Sequence, residues 1–168
     1  MIYGFWGLIV LVPLIRNYLG GPGLSILAAS LVLGFMILPT IITISEDALK
    51  ALPPSYKAGA LALGATHWQT IWRVLIPAAR SGIVASVILG MGRAIGETMA
   101  MIMILGNAVK MPNSFLDSAR TLTTNIGIEM GYASGDHRQA LFATGVVLFF
   151  IIMALNIMAI FLSRRRAR

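Results

Sequence analysis

Leu89-Gly-Met-Gly-Arg-Ala-Ile-Gly-Glu-Thr-Met-Ala-Met101 places Arg93 and Glu97 near the middle of an apolar run from about Gly82 to Gly106. A helix crosses a bilayer with about 20 predominantly apolar residues, so this run is long enough to span as one helix. An ionised side chain at that depth costs roughly 2.5–3.5 kcal/mol on insertion scales. Two opposite charges at i, i+4 share one helix face and can pair. In mid-membrane such a pair is either a site on an ion pathway or a clamp that orders the helices.

The rest of the chain has the same character. Of its 168 residues 58% are hydrophobic and 11% charged, with a mean hydropathy of +0.85; soluble domains carry roughly 25% charged residues. This is an all-α integral membrane protein, with room in 1–168 for one membrane domain and no soluble one. No cysteine is present, which removes disulfides and thiolate metal sites. His67 and His137 lack metal-ligand spacing, the scattered methionines read as apolar packing, and no cofactor is expected. A pI of 10.6 could suggest nucleic acid, but the basic residues sit at span ends instead of forming a solvated face. The start, Met1-Ile-Tyr-Gly-Phe-Trp6, lacks the charged region of a signal peptide and enters a span abruptly.

Four spans are expected, at about 2–19, 24–44, 81–106 and 139–163, with a turn at Gly20-Gly21-Pro22-Gly23 and a kink at Pro39. The 45–80 loop holds Lys50, Lys57, Arg73 and Arg80; with the arginines of Arg164-Arg165-Arg166-Ala167-Arg168 that side has eight basic residues against four (Arg16, Lys110, Arg120, Arg138) on the other. The excess assigns the loop and both termini to the cytoplasm. The opposing 107–138 loop carries Asp117, Glu129 and Asp136 and an intermittent apolar face. It is expected to form a helix at the outer surface, with Arg120, Thr123, Thr124 and Asn125 near an entrance or acting as ordinary caps. Gly82, Ser86 and Gly90, and Gly92 and Gly96, recur at i+4, a small-residue spacing that lets helices approach closely. They are expected to pack partly against a partner subunit.

In the loop, Pro53-Pro54-Ser55 opens a helix, Gly64 supplies a natural stop, and Thr66-His67-Trp68-Gln69 has capping-box spacing. Two short helices joined at a glycine elbow follow. Pattern alone leaves an interfacial amphipathic pair open.

Ala58-Gly59-Ala60-x3-Gly64-x9-Val74-x-Ile76-Pro77 resembles the EAA loop of ABC importer permeases, with Ala58 in place of the usual Glu. Together with Leu61–Pro77, Gly92-Arg-Ala-Ile-Gly-Glu-Thr98, Arg120–Ile126 and Ala140–Val146, the chain resembles the phosphate permeases of the Pst system, PstC type. The resemblance implies the type I, MetI-like permease core, of which this chain matches the last four of six spans. It implies ATPase coupling through Ala58, Gly59, Ala60, Gly64, Ala65, Thr66 and Pro77, and a substrate pathway at Arg93, Glu97 and Thr98. It further implies a second permease subunit as a heterodimer, cytoplasmic ATPase subunits, and an extracytoplasmic phosphate-binding protein. The arginine fork suits a phosphate oxyanion, and Glu97 can accept a hydrogen bond from a protonated phosphate, which sulfate cannot donate. No Gly-x4-Gly-Lys-Ser/Thr string occurs, so ATP hydrolysis belongs to a separate protein and the chain is not an enzyme. A permease for sulfate or molybdate, and a truncated non-transporting scaffold, are the alternatives.

Overall fold

The computed structural model describes residues 1–165. Of the C-terminal arginine cluster used for sidedness, residues 166–168 lie outside the described residues. The described residues form helices and connecting loops, with one isolated bridge between Gly106 and Ala119. We label them α1 (Ile2–Leu19), α2 (Ile26–Lys50), α3 (Pro54–Ala62), α4 (His67–Ala78), α5 (Arg80–Ile95), α6 (Met99–Ile104), α7 (Leu122–Glu129) and α8 (Gly135–Arg165).

Among the described residues three helices are long and apolar enough to cross a membrane: α1, α2 and α8 over Gly135–Met158. A fourth span arises if α4 and α5, bent by 69° at Ala79, count as one. The expected third span is therefore not one helix over 81–106. Its helix stops at Ile95 and resumes at Met99.

Prolines shape two of these helices. One turn widens to a π-turn over Gly7–Leu11 in α1, and another over Ile71–Leu75 in α4. Val12 N–H donates to the Gly7 carbonyl, and Ile76 N–H to the Ile71 carbonyl. Pro13 and Pro77 come immediately afterwards. A proline ring clashes with the carbonyl four residues back and supplies no N–H, and a wide turn is one way to accommodate it inside a helix. Pro77 thus sits within the last turn of α4, and the bend follows at Ala79.

The chain divides into two compact units, Met1–Met36 with Arg93–Ala154, and Ile37–Gly92 with the chain from Leu155 onward. In the first, Ile15, Ala28, Ala29, Val32, Ala100 and Ile104 form the buried core. The start of α2 is sealed by the 105–121 loop, whose Asp117 and Phe115 carbonyls accept from Ile26 N–H at 3.1 Å and Leu27 N–H at 2.9 Å. These are two of the donors that a helix start leaves without an intrahelical partner. The Asp117 carboxylate in turn accepts from the Asn113 and Ser114 backbone N–H groups, which hold it below the ordinary carboxylate range.

In the second unit the small-residue stripe of α5 faces α2. A Cβ added at Gly82 would collide with Ala48, and one at Gly90 would lie 2.8 Å from both Ile37 and Ile41 side-chain carbons. Between them Ser86 is fully buried, its hydroxyl 2.7 Å from that of Ser45. Ser86 also donates to the Ile83 carbonyl at 2.7 Å, so Ser45 is the donor of the pair. The expectation of a packing face was correct. The partner of Gly82, Ser86 and Gly90 is a helix of the same chain.

Candidate functional site

Helix α5 leaves helical geometry at Gly96, and Glu97 and Thr98 form the link to α6. Thr98 occupies the N-cap of α6 but makes no side-chain cap bond. The Glu97 carboxylate does that work instead, its Oε1 accepting from Ala100 N–H at 3.1 Å. An acidic group at a helix start satisfies an orphan donor and opposes the positive end of the helix dipole. The Thr98 hydroxyl donates to the Gly96 carbonyl at 3.3 Å.

This break undoes the expected i, i+4 pair. No ion pair joins Arg93 and Glu97 among the described residues, because Glu97 is no longer on the helix that carries Arg93. Arg93 is exposed on the last turn of α5, while Glu97 and Thr98 are half-buried. The Arg–Glu clamp is therefore absent from this arrangement.

Glu97 lines a cleft of about 280 Å³ together with Ala94, Met101, Leu122, Thr123 and Leu148. Its walls are apolar apart from the carboxylate and threonine groups. Helix α7 reaches over this break. Thr123 Oγ1 donates to the Glu97 carbonyl at 3.2 Å, and Gly127 passes so close that a Cβ there would lie 2.9 Å from the Thr98 methyl. The expected helix in the 107–138 loop is thus present. Thr123 makes a contact at the site, Thr124 is buried within the cap, and Asn125 accepts from Arg120.

A cluster escaped the sequence reading. Arg120 Nη1 donates to Asn125 Oδ1 at 3.0 Å and to Glu129 Oε1 at 2.7 Å, and Glu129 Oε2 lies 3.1 Å from His137 Nε2. Glu129, the last residue of α7, thereby ties together Arg120, which precedes the Thr121 cap, and His137 at the start of α8. The only sequence signal was Asn125 and Glu129 at i, i+4, with an arginine just before the Thr121 cap. Arg120 and then His137 hold Glu129 below its ordinary value of 4.5. A lowered carboxylate stabilises the folded form above the ordinary value, and that contribution is lost as pH falls through the lowered one. The protection of amides in residues 121–130, measured relative to their intrinsic exchange rates at each pH, should therefore fall on acidification below about pH 4.5. Glu129→Gln should exchange faster at neutral pH and lose most of that acid dependence. An unchanged acid response in the variant would remove Glu129 from this role.

The two short helices expected in the 45–80 loop are present and meet at a glycine elbow. Helix α3 starts behind Pro53 and ends at Ala62 with Leu63 as its C-cap, followed by Gly64 at φ +82°. Gly64 N–H donates to the Leu61 carbonyl and Ala65 N–H to the Ala60 carbonyl. This is the Schellman pattern, which calls for a left-handed residue at Gly64. Thr66 then caps α4 reciprocally with Gln69, completing the expected capping box. Ala58, Gly59 and Thr66 are exposed, Ala60 and Ala65 half-exposed, and a Cβ at Gly64 would meet nothing within 4 Å.

Residues 2–168 match the family described as the binding-protein-dependent transport system inner membrane component. The chain is 45% identical over 169 residues to the probable ABC transporter permease protein YqgH of Bacillus subtilis, covering 99% of this chain and 55% of that protein. It is 38% identical over 184 residues to the phosphate transport system permease protein PstC of Haemophilus influenzae, covering 98% and 57%. The probable phosphate transport system permease protein PstC of Methanocaldococcus jannaschii is 33% identical over 184 residues, covering 98% and 58%. The chain thus spans just over half the length of these relatives. No solved structure matches.

Proposed function

The chain belongs to the family of binding-protein-dependent transport system inner membrane components, and from that premise we propose that it is a permease subunit of an ATP-driven phosphate importer. The observation that carries this reading is its likeness, over nearly its whole length, to proteins named phosphate transport permeases. The family is a membrane component of transport systems, not an enzyme. ATP is hydrolysed by separate cytoplasmic subunits that dock on the α3–α4 elbow. An extracytoplasmic binding protein delivers phosphate, and a second permease subunit completes the path as a heterodimer.

In this reading the 96–98 break is where substrate passes. Arg93, free of Glu97, offers a planar fork of donors that matches two oxygens of a phosphate. Glu97 accepts from a protonated phosphate oxygen, and Thr98 adds a hydroxyl. Uptake of radiolabelled phosphate by the assembled transporter tests the substrate. Excess unlabelled phosphate should compete and excess sulfate should not, whereas equal competition by sulfate would replace phosphate specificity with general oxyanion transport.

The 45–80 loop and both termini lie on the cytoplasmic side, as the basic-residue excess supports. Ser55 and Ser134 are both exposed, and the chain has no cysteine to give background. In intact cells an impermeant maleimide should label Ser134→Cys and spare Ser55→Cys. The reverse pattern would invert the topology.

A further inference from the structure

We infer that α4 lies in the headgroup layer of the membrane, with Trp68 and Trp72 inserted at its lipid boundary and an anionic lipid surface as their partner. The two indoles sit one turn apart with ring centroids 5.7 Å from each other. They are 68% and 55% exposed, and Ile71 beside them is 40% exposed. Three large apolar groups left uncovered on one short helix need a partner other than water.

The bend decides which partner fits. Helix α4 turns 69° away from α5. Trp68 stands ten residues before Ala78, about 15 Å along the α4 axis, and only about 5 Å of that projects along the direction of α5. The headgroup region adds about 5–8 Å on each side of a 30 Å hydrocarbon core. With α5 and the chain that follows it crossing the membrane, and α4 outside that crossing, both tryptophans stay inside that layer. Indole is suited to it, being an apolar body with one polar edge.

Charge agrees. Residues 51–96 contain no Asp or Glu, while Lys57, Arg73 and Arg80 are all exposed. Such a cationic segment is attracted to the negative surface of a cytoplasmic leaflet. This attraction follows from the proposed sidedness, whereas the depth of α4 is the same on either face. The far tip of the loop, with Leu63 91% exposed at the elbow, is left for the ATPase.

The test is photo-cross-linking in the complete transporter in native membranes. Benzoylphenylalanine replaces Trp68, Trp72 or, for comparison, Leu63, one at a time. At 68 and 72 the expected product is the permease with the added mass of one phospholipid; at 63 it is an ATPase adduct. ATPase adducts at 68 and 72, or no lipid adduct at either, would overturn the inference while leaving coupling at Leu63 intact. Lipid adducts at 68 and 72 without an ATPase adduct at 63 would support it and count against the coupling reading. If one substitution prevents insertion, the other, one turn away, reads the same layer.

Discussion

Arg93→Lys is expected to cut phosphate uptake by on the order of 10- to 100-fold, with the protein still inserted in the membrane. The substitution keeps the charge and removes the fork, so about one charge-assisted hydrogen bond to substrate is lost. Such a bond is worth about 1.5–3 kcal/mol, and each 1.4 kcal/mol is about tenfold. Glu97 needs a different substitution, because its carboxylate also caps α6 through Ala100 N–H. Glu97→Gln retains an acceptor for that bond and removes the charge, so it should insert normally and still transport poorly. Exchanging the two residues, Arg93→Glu with Glu97→Arg, should not restore uptake, since arginine at 97 has no acceptor to offer the helix start. The measurement is radiolabelled phosphate uptake normalised to membrane-inserted protein. Near-normal uptake by Arg93→Lys would take Arg93 out of the pathway.

Gly64→Val should uncouple ATP hydrolysis from transport. Gly64 sits at φ +82° with open space where a Cβ would lie, so the penalty comes from backbone conformation and not from a clash. A left-handed conformation costs an ordinary residue about 1–2 kcal/mol, a factor of roughly 5–30 between the bent and opened elbow. Stimulation of the ATPase by the assembled permease should fall by a similar factor. Asparagine tolerates this region better than valine, so Gly64→Asn should retain more activity. Equal loss in both variants would point to a direct contact at the glycine, and normal stimulation in Gly64→Val would remove the elbow from coupling.

The contrast between these two sites shows what was legible in the sequence. The elbow was readable because neighbouring residues fix it: a glycine stop, then a threonine cap answered by Gln69 three positions on. The small-residue stripe announced a face, but a face does not name its partner, and only the structure shows that Gly82, Ser86 and Gly90 meet α2 of the same chain. The break at 96–98 was hidden because hydropathy is indifferent to where a helix starts and stops. Gly96 was its only sign, and glycine is common in membrane helices. The Arg120–Glu129–His137 cluster depends on α8 beginning beside the end of α7, which no local pattern encodes.

The two wide turns change how positions on α1 and α4 should be compared along the chain. Each holds one residue more than a regular turn would, so faces assigned by a uniform 3.6-residue wheel slip by about 100° across it. On α4 the slip falls between the Thr66 cap and the bend at Ala79. Deleting a single residue within Ile71–Leu75 would leave composition and hydropathy almost untouched. It would nonetheless rotate the elbow end of α4 by that angle and draw it about 1.5 Å towards α5. The spacing between Gly64 and Pro77 is thus an angular setting as well as a length, and it fixes which way the Gly64 elbow points at the end of its helix.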